Sequence, residues 1–156
     1  HEVKWDGYRM LARLRGGVAS LRSRNDLDWT ARVPAIVEAI AALPVDEADL
    51  DGELVALDAK GLSDFGLLQQ GLKAGRQAAF RYIVFDLMSL GGQDLRAVPL
   101  VERKALLREL LEAAGDDRLF YSSHGVGNGR EAFDAAVDGR RPGERPFSFR
   151  KAWKRR

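Results

Sequence analysis

An α+β fold built on mainly antiparallel strands is the class this sequence predicts, on three observations. Apolar residues alternate in stretches joined by glycine-rich turns, which is the pattern of strands in hairpins. Four other stretches carry apolar residues at helical spacing instead. The two kinds of element are mixed along the chain without any repeat, and 156 residues at 46% hydrophobic suffice for one ordinary core.

The elements follow in order. Gly7 to Arg15 alternates as a strand, Gly16-Gly17 supplies a tight turn, and Val18 to Arg24 returns as its hairpin partner. Arg9, Leu11, Arg13 and Arg15 share one parity of the first strand, so three basic side chains face the same way. Val33, Ile36, Val37, Ile40 and Leu43 lie at helical spacing and predict a helix from Val33 to Leu43. Leu50 to Leu57 is a strand, and Ser63 is placed to cap a short helix ending near Leu72. Phe80 to Leu90 is a strongly apolar strand closed by Gly91-Gly92, after which Pro99 precedes a helix over Leu100 to Ala114. That helix should bury Leu106, Leu107, Leu110 and Leu111. Leu119 to Ser123 reads as a strand and Glu131 to Asp138 as a last helix.

Composition narrows the function classes. No apolar run is long enough to span a membrane, and no signal segment is visible. Zero cysteines exclude disulfides and thiolate zinc sites within the chain, and the two histidines, His1 and His124, are too separated to suggest a metal centre. The net charge of +2 conceals an asymmetry: residues 139 to 156 hold eight basic residues and one acid, a charge of +7, which leaves −5 on residues 1 to 138. Nucleic-acid affinity of the folded part must therefore come from a local basic face, such as one formed by Lys4, Arg9, Arg13, Arg15, Arg22 and Arg24.

The chemistry-bearing string is His1-Glu2-Val3-Lys4-Trp5-Asp6-Gly7-Tyr8-Arg9. A bare Lys-x-Asp-Gly arises by chance in on the order of a few per cent of chains this long, whereas Glu-x-Lys-x-Asp-Gly-x-Arg does so in about one in ten thousand. Read from its residues alone, Lys4 is either a solvated lysine beside an Asp6-Gly7 turn or a nucleophile. A nucleophilic lysine must lose a proton held with a reference pKa near 10.4, so it needs burial or neighbouring cations. Arg9, Arg22 and Arg24 are candidates for that role.

This string resembles the active-site motif of covalent nucleotidyltransferases, and among them the ligase module of ATP-dependent bacterial end-joining DNA ligases. The resemblance implies two antiparallel sheets flanking a nucleotide cleft. It also implies that Lys4 attacks the α-phosphate of ATP, expels pyrophosphate and holds AMP as a phosphoramidate, with Glu2 reading the adenine amine and Val3 beside it in the ATP site. AMP then passes to the 5′-phosphate of a nick, and the 3′-hydroxyl seals the strand.

Three more segments fall where that family carries motifs. Arg22-Ser23-Arg24-Asn25 is by itself a strand end with two solvated arginines; the resemblance makes Arg24, with Arg9, a phosphate contact. Asp51-Gly52-Glu53-Leu54-Val55 is by itself a turn entering a strand; the resemblance makes Glu53 the ligand of ribose hydroxyls or of Mg2+ (or Mn2+). Tyr82-Ile83-Val84-Phe85-Asp86-Leu87 is by itself core, and the resemblance turns Phe85 into the face that stacks on adenine. The expected partners are nicked or broken double-stranded DNA and end-joining proteins, in the cytoplasm and nucleoid of a bacterium.

The resemblance covers about residues 1 to 136. Beyond them the family continues with a strand bearing a second metal-binding glutamate, another bearing two lysines, and an oligonucleotide-binding barrel, none of which is visible here. Residues 138 to 156 contain no Leu, Ile or Val, so a buried strand is implausible there. The expected organisation is thus a partial adenylation domain over residues 1–138 followed by a basic tail over 139–156 without a packed core. Two rivals share parts of the pattern: an RNA ligase or mRNA-capping nucleotidyltransferase, and a catalytically silent fragment that binds nucleic acid through its tail.

Overall fold

In a computed structural model, residues 4–122 are described. They form one six-stranded mixed sheet with helices packed on it. The strands are β1 (Tyr8–Arg15), β2 (Val18–Ser23), β3 (Glu47–Ala56), β4 (Phe80–Leu90), β5 (Gln93–Asp94) and β6 (Leu119–Tyr121), and the α-helices are α1 (Pro34–Ala41), α2 (Phe65–Ala74) and α3 (Leu100–Ala114). The order across the sheet is β2-β1-β3-β4-β5, all antiparallel, while β6 joins β4 in parallel. The second sheet that the resemblance implies is not formed by the described residues. The expected helix at Glu131 to Asp138 and the basic tail lie outside them.

Side-chain alternation sets the two faces. Met10, Ala12 and Leu14 of β1, Leu50 and Leu54 of β3, and Phe80, Tyr82 and Val84 of β4 join α1 and α3 in a single apolar cluster. Their neighbours of opposite parity, Arg9, Leu11, Arg13 and Arg15, are exposed on the other face, as the period of two demands. The hairpin turn carries positive φ at both glycines, 56° at Gly16 and 82° at Gly17, the primed geometry that matches strand twist. Helix α3 has the predicted bounds, and the four predicted leucines are buried.

Differences from the sequence reading have local causes. Strand β3 begins at Glu47, three residues before the apolar run, because every residue from Tyr8 to Arg15 finds a partner on it. Helix α2 is capped by Asp64, whose Oδ1 accepts the Leu67 N–H at 2.9 Å, and not by Ser63. Ser63 is occupied elsewhere: its hydroxyl accepts the Asp6 N–H at 3.1 Å. Two-residue β5 escapes detection because such a segment has no readable period.

Candidate active site

The segment Lys4 to Gly7 is held on both sides before β1 begins. On one side is the Asp6 contact to Ser63. On the other, the Gly7 backbone lies against the Leu54 carbonyl and Val55, just past Glu53, which stands directly opposite Arg9 in the β1–β3 register. Gly7 has to be glycine for steric reasons: a Cβ there would fall 1.9 Å from the Leu54 carbonyl oxygen and 2.9 Å from Val55 Cγ1. Lys4 itself is exposed, three residues from that contact. Glu2 and Val3 lie outside the described residues.

The second glycine of the site is under the same constraint. A Cβ on Gly52 would meet the Ile83 carbonyl oxygen at 2.4 Å and the Tyr82 ring at 2.8 Å. The ring lies there because Tyr82 is wholly buried and its hydroxyl donates to the Met10 carbonyl at 2.9 Å, crossing beneath β3 from β4 to β1. The spacing of Asp51-Gly52-Glu53 then puts two carboxylates on the exposed face, while the bare Gly52 between them leaves room for the ring on the core face.

These carboxylates differ in their partners. Asp51 is gripped by Arg9, whose Nε donates to Oδ1 at 3.0 Å and whose NH2 donates to Oδ2. Glu53 is pushed above the usual carboxylate range, first by burial, with the Arg9 charge and the Gly7 N–H only partly compensating and Asp51 and Asp6 adding to the rise. A half-buried carboxylate whose positive neighbour, Arg9, is already bound to Asp51 can accept a further cation. Among the described residues no group of three or more candidate ligands forms a complete cage.

The expected basic face is not what the sheet builds. Opposite Arg9, Arg13 and Arg15 in the β1–β3 register stand Glu53, Asp49 and Glu47, and Asp51 faces Leu11. Asp49 receives Arg13 at 3.3 Å, Arg15 at 3.0 Å and the Ser89 hydroxyl at 2.8 Å, and Arg22 is bound to Asp26 at 2.6 Å. The face is therefore a checkerboard of ion pairs. An open groove of about 810 Å³ lies over its far end, lined by Arg13, Arg15, Arg22, Arg96 and the acids Asp26, Glu47, Asp49 and Asp94, which cancel in charge. Arg24 follows Ser23, the partner of Met10, and so stands exposed at the Arg9 end of the sheet.

Phe85 occupies an irregularity of β4. Gly52 pairs with Val84 and Asp51 with Asp86, so Phe85 is the extra residue of a β-bulge and has no cross-strand partner. It is half-buried and outside the core cluster, contrary to the core position its composition suggests. Sequence alone gave no site role to Asp51, read Ser63 only as a helix cap, and singled out neither Arg103 nor Lys104 of α3. Asp51 was legible in principle, since it shares parity with Glu53 and lies in the same motif.

The matching family is the ATP dependent DNA ligase domain, over residues 1–138. The chain is 44% identical over 123 residues to the "Multifunctional non-homologous end joining protein LigD" of Pseudomonas aeruginosa, covering 79% of this chain and 15% of that protein. It is 35% identical over 125 residues to DNA ligase C of Mycobacterium tuberculosis, covering 75% and 35% of the two chains. Among solved structures, the ligase domain of M. tuberculosis LigD superposes with a TM-score of 0.66 at 34% identity, over 87% of this chain and 44% of that one. Mycobacterial DNA ligase D complexed with ATP and MES gives 0.65 at 33%, over 88% and 43%. The chain thus spans less than half the length of these relatives, and no described helix is long and apolar enough to cross a membrane. With the lysine motif and the glutamate motif packed together on the fold of those ligase domains, the chain belongs to the ATP-dependent DNA ligase domain family.

Proposed function

We propose that this chain is the nucleotide-accepting part of an end-joining DNA ligase, in which Lys4 is the residue that becomes adenylated. The observation that carries the reading is the close packing of Gly7 onto Leu54 and Val55, the residues just after Glu53, at a point where a side chain on Gly7 is sterically impossible. It brings the lysine motif and the glutamate motif, about fifty residues apart in sequence, onto one end of one sheet face. Lys4 attacks the α-phosphorus of ATP; the N–P bond forms as the bond to pyrophosphate breaks, and the lysine nitrogen gives up a proton. Arg24, exposed at that end, and Arg9, whose side chain is also largely exposed, meet phosphate. Arg9 orients Asp51 and faces Glu53, Glu53 takes the ribose hydroxyls or Mg2+ (or Mn2+), Phe85 stacks on the adenine, and Glu2 and Val3 complete the nucleotide site. The metal, when bound, supplies neutralisation of the triphosphate charge. The AMP acceptor is the 5′-phosphate of nicked or broken DNA, and the partners are end-joining proteins on the bacterial nucleoid.

Intact-mass spectrometry of the chain after incubation with ATP and Mg2+ tests this reading. The expected result is a gain of one AMP, mapped to Lys4 and absent from Lys4→Arg, whose guanidinium stays protonated. Because Lys4 is exposed, that variant should melt at the same temperature as the parent. AMP on another residue, or labelling by GTP in place of ATP, would overturn the assignment.

A further inference from the structure

Two consecutive basic residues of α3, Arg103 and Lys104, close on the β4 bulge from outside the sheet. Lys104 is 7% exposed, an unusual burial for a lysine, and its Nζ donates to the Phe85 carbonyl at 2.9 Å and to the Ser122 carbonyl at 3.3 Å, with the Tyr121 ring centroid 5.7 Å away. Arg103 forks onto Asp86, Nε to Oδ1 at 2.9 Å and NH2 to Oδ2 at 3.1 Å, and its NH1 donates to the Val98 carbonyl at 2.6 Å. Asp86 in turn accepts the Leu87 N–H at 2.8 Å. The bulge takes Phe85 out of the β3–β4 ladder, and Lys104 supplies a donor for its carbonyl.

We infer that Lys104 and Arg103 are positioning residues, which fix the backbone of the Phe85–Asp86 bulge and so hold the Phe85 ring at the angle that receives the adenine base. The inference rests on the proposed stacking role of Phe85, and adds that α3, far along the chain from the lysine motif, sets nucleotide affinity through that one ring. A bulge is the usual device for re-aiming a side chain beside a site, and it holds its shape only if the groups it frees from the ladder are bound again. Charge-assisted bonds from buried side chains do this more rigidly than water does.

Two measurements on the full chain test the inference. The first is amide hydrogen exchange over residues 85–88 in the parent, Lys104→Met and Arg103→Met. Faster exchange confined to this segment, with α1 and the β1–β2 hairpin unchanged, is expected; unchanged exchange there overturns the clamp. The second is calorimetric titration with ATP and Mg2+ of Lys104→Met, Phe85→Ala and the double variant. Lys104→Met should weaken binding about fivefold, the scale of one net hydrogen bond. The double variant should bind no more weakly than Phe85→Ala, because both act through one ring. Additive losses overturn the route through Phe85. A loosened bulge together with unchanged ATP affinity in Phe85→Ala sinks the stacking reading instead, and with it the positioning role.

Discussion

Each of the two glycines at the site is fixed by a neighbour that cannot move. At Gly52 the obstacles are the Ile83 carbonyl and the Tyr82 ring, so Gly52→Ala should lower stability by about 3 kcal/mol or more, at the upper end of overpacking costs, in urea denaturation. Tyr82→Phe removes only the hydroxyl on the Met10 carbonyl and should cost about 1 kcal/mol, with the sheet intact. Glu53 gives a pH signature. Its native carboxyl sits above the usual range because of burial, so between the unfolded and native pKa values the folded chain binds more protons than the unfolded one. Stability contributed by this residue therefore falls as pH rises through that window, and Glu53→Gln should flatten the fall while also weakening binding of ATP with Mg2+. Asp49 behaves oppositely: burial raises its pKa, but the bonds from Arg15 and Ser89 more than offset this and hold it low. Its contribution is present above the usual aspartate pKa and is lost as pH falls through the native value. Thermal melts of Glu53→Gln and Asp49→Asn from pH 3 to 7 separate the two slopes.

At the level of elements, α3 does two jobs with two groups of residues. Leu106, Leu107, Leu110 and Leu111 pack on β4 and β6, and Leu107→Ala should cost about 2–5 kcal/mol, the range for opening a cavity at a fully buried leucine. The basic pair one turn earlier binds the bulge and should affect ATP affinity more than melting temperature. Helix α2 offers a contrast within one loop. Asp64→Ala removes the cap and should cost about 1 kcal/mol, whereas Ser63→Ala leaves the helix alone and frees the Asp6 amide beside Lys4. Self-adenylation slowed by Ser63→Ala but not by Asp64→Ala is the expected pattern in a timed labelling assay. The helix bounds were readable because leucines at i, i+3 and i+4 announce a buried stripe. Lys104 was not readable, since a lysine between apolar residues fits a solvated position equally well until the partner carbonyls are placed.

Over the whole molecule, charge is arranged by pairing across the sheet. The acids of β3 answer the arginines of β1, so the groove beyond the lysine motif is neutral and should hold DNA poorly. Any retention of a duplex should come from the +7 segment over 139–156, fall steeply with salt, and vanish on its deletion in a gel-shift titration. Nick sealing by the 156-residue chain alone should be undetectable, since it spans 44% of the solved M. tuberculosis ligase domain and the resemblance places further metal and phosphate contacts beyond it. One such electrostatic contact is worth about a hundred- to a thousandfold in rate. The sequence by itself determined the α+β class, the hairpin at Gly16-Gly17, the bounds of α3 and the lysine motif, because periodicity, turn chemistry and a short linear motif are local properties. Only the tertiary structure decided that Glu53 stands opposite Arg9 beside the lysine motif, that Asp51 binds Arg9, that the face is neutral and that Phe85 stands on a bulge clamped by α3. Register and packing between strands distant in sequence create these relations, and a one-residue shift would send every one of those side chains to the opposite face.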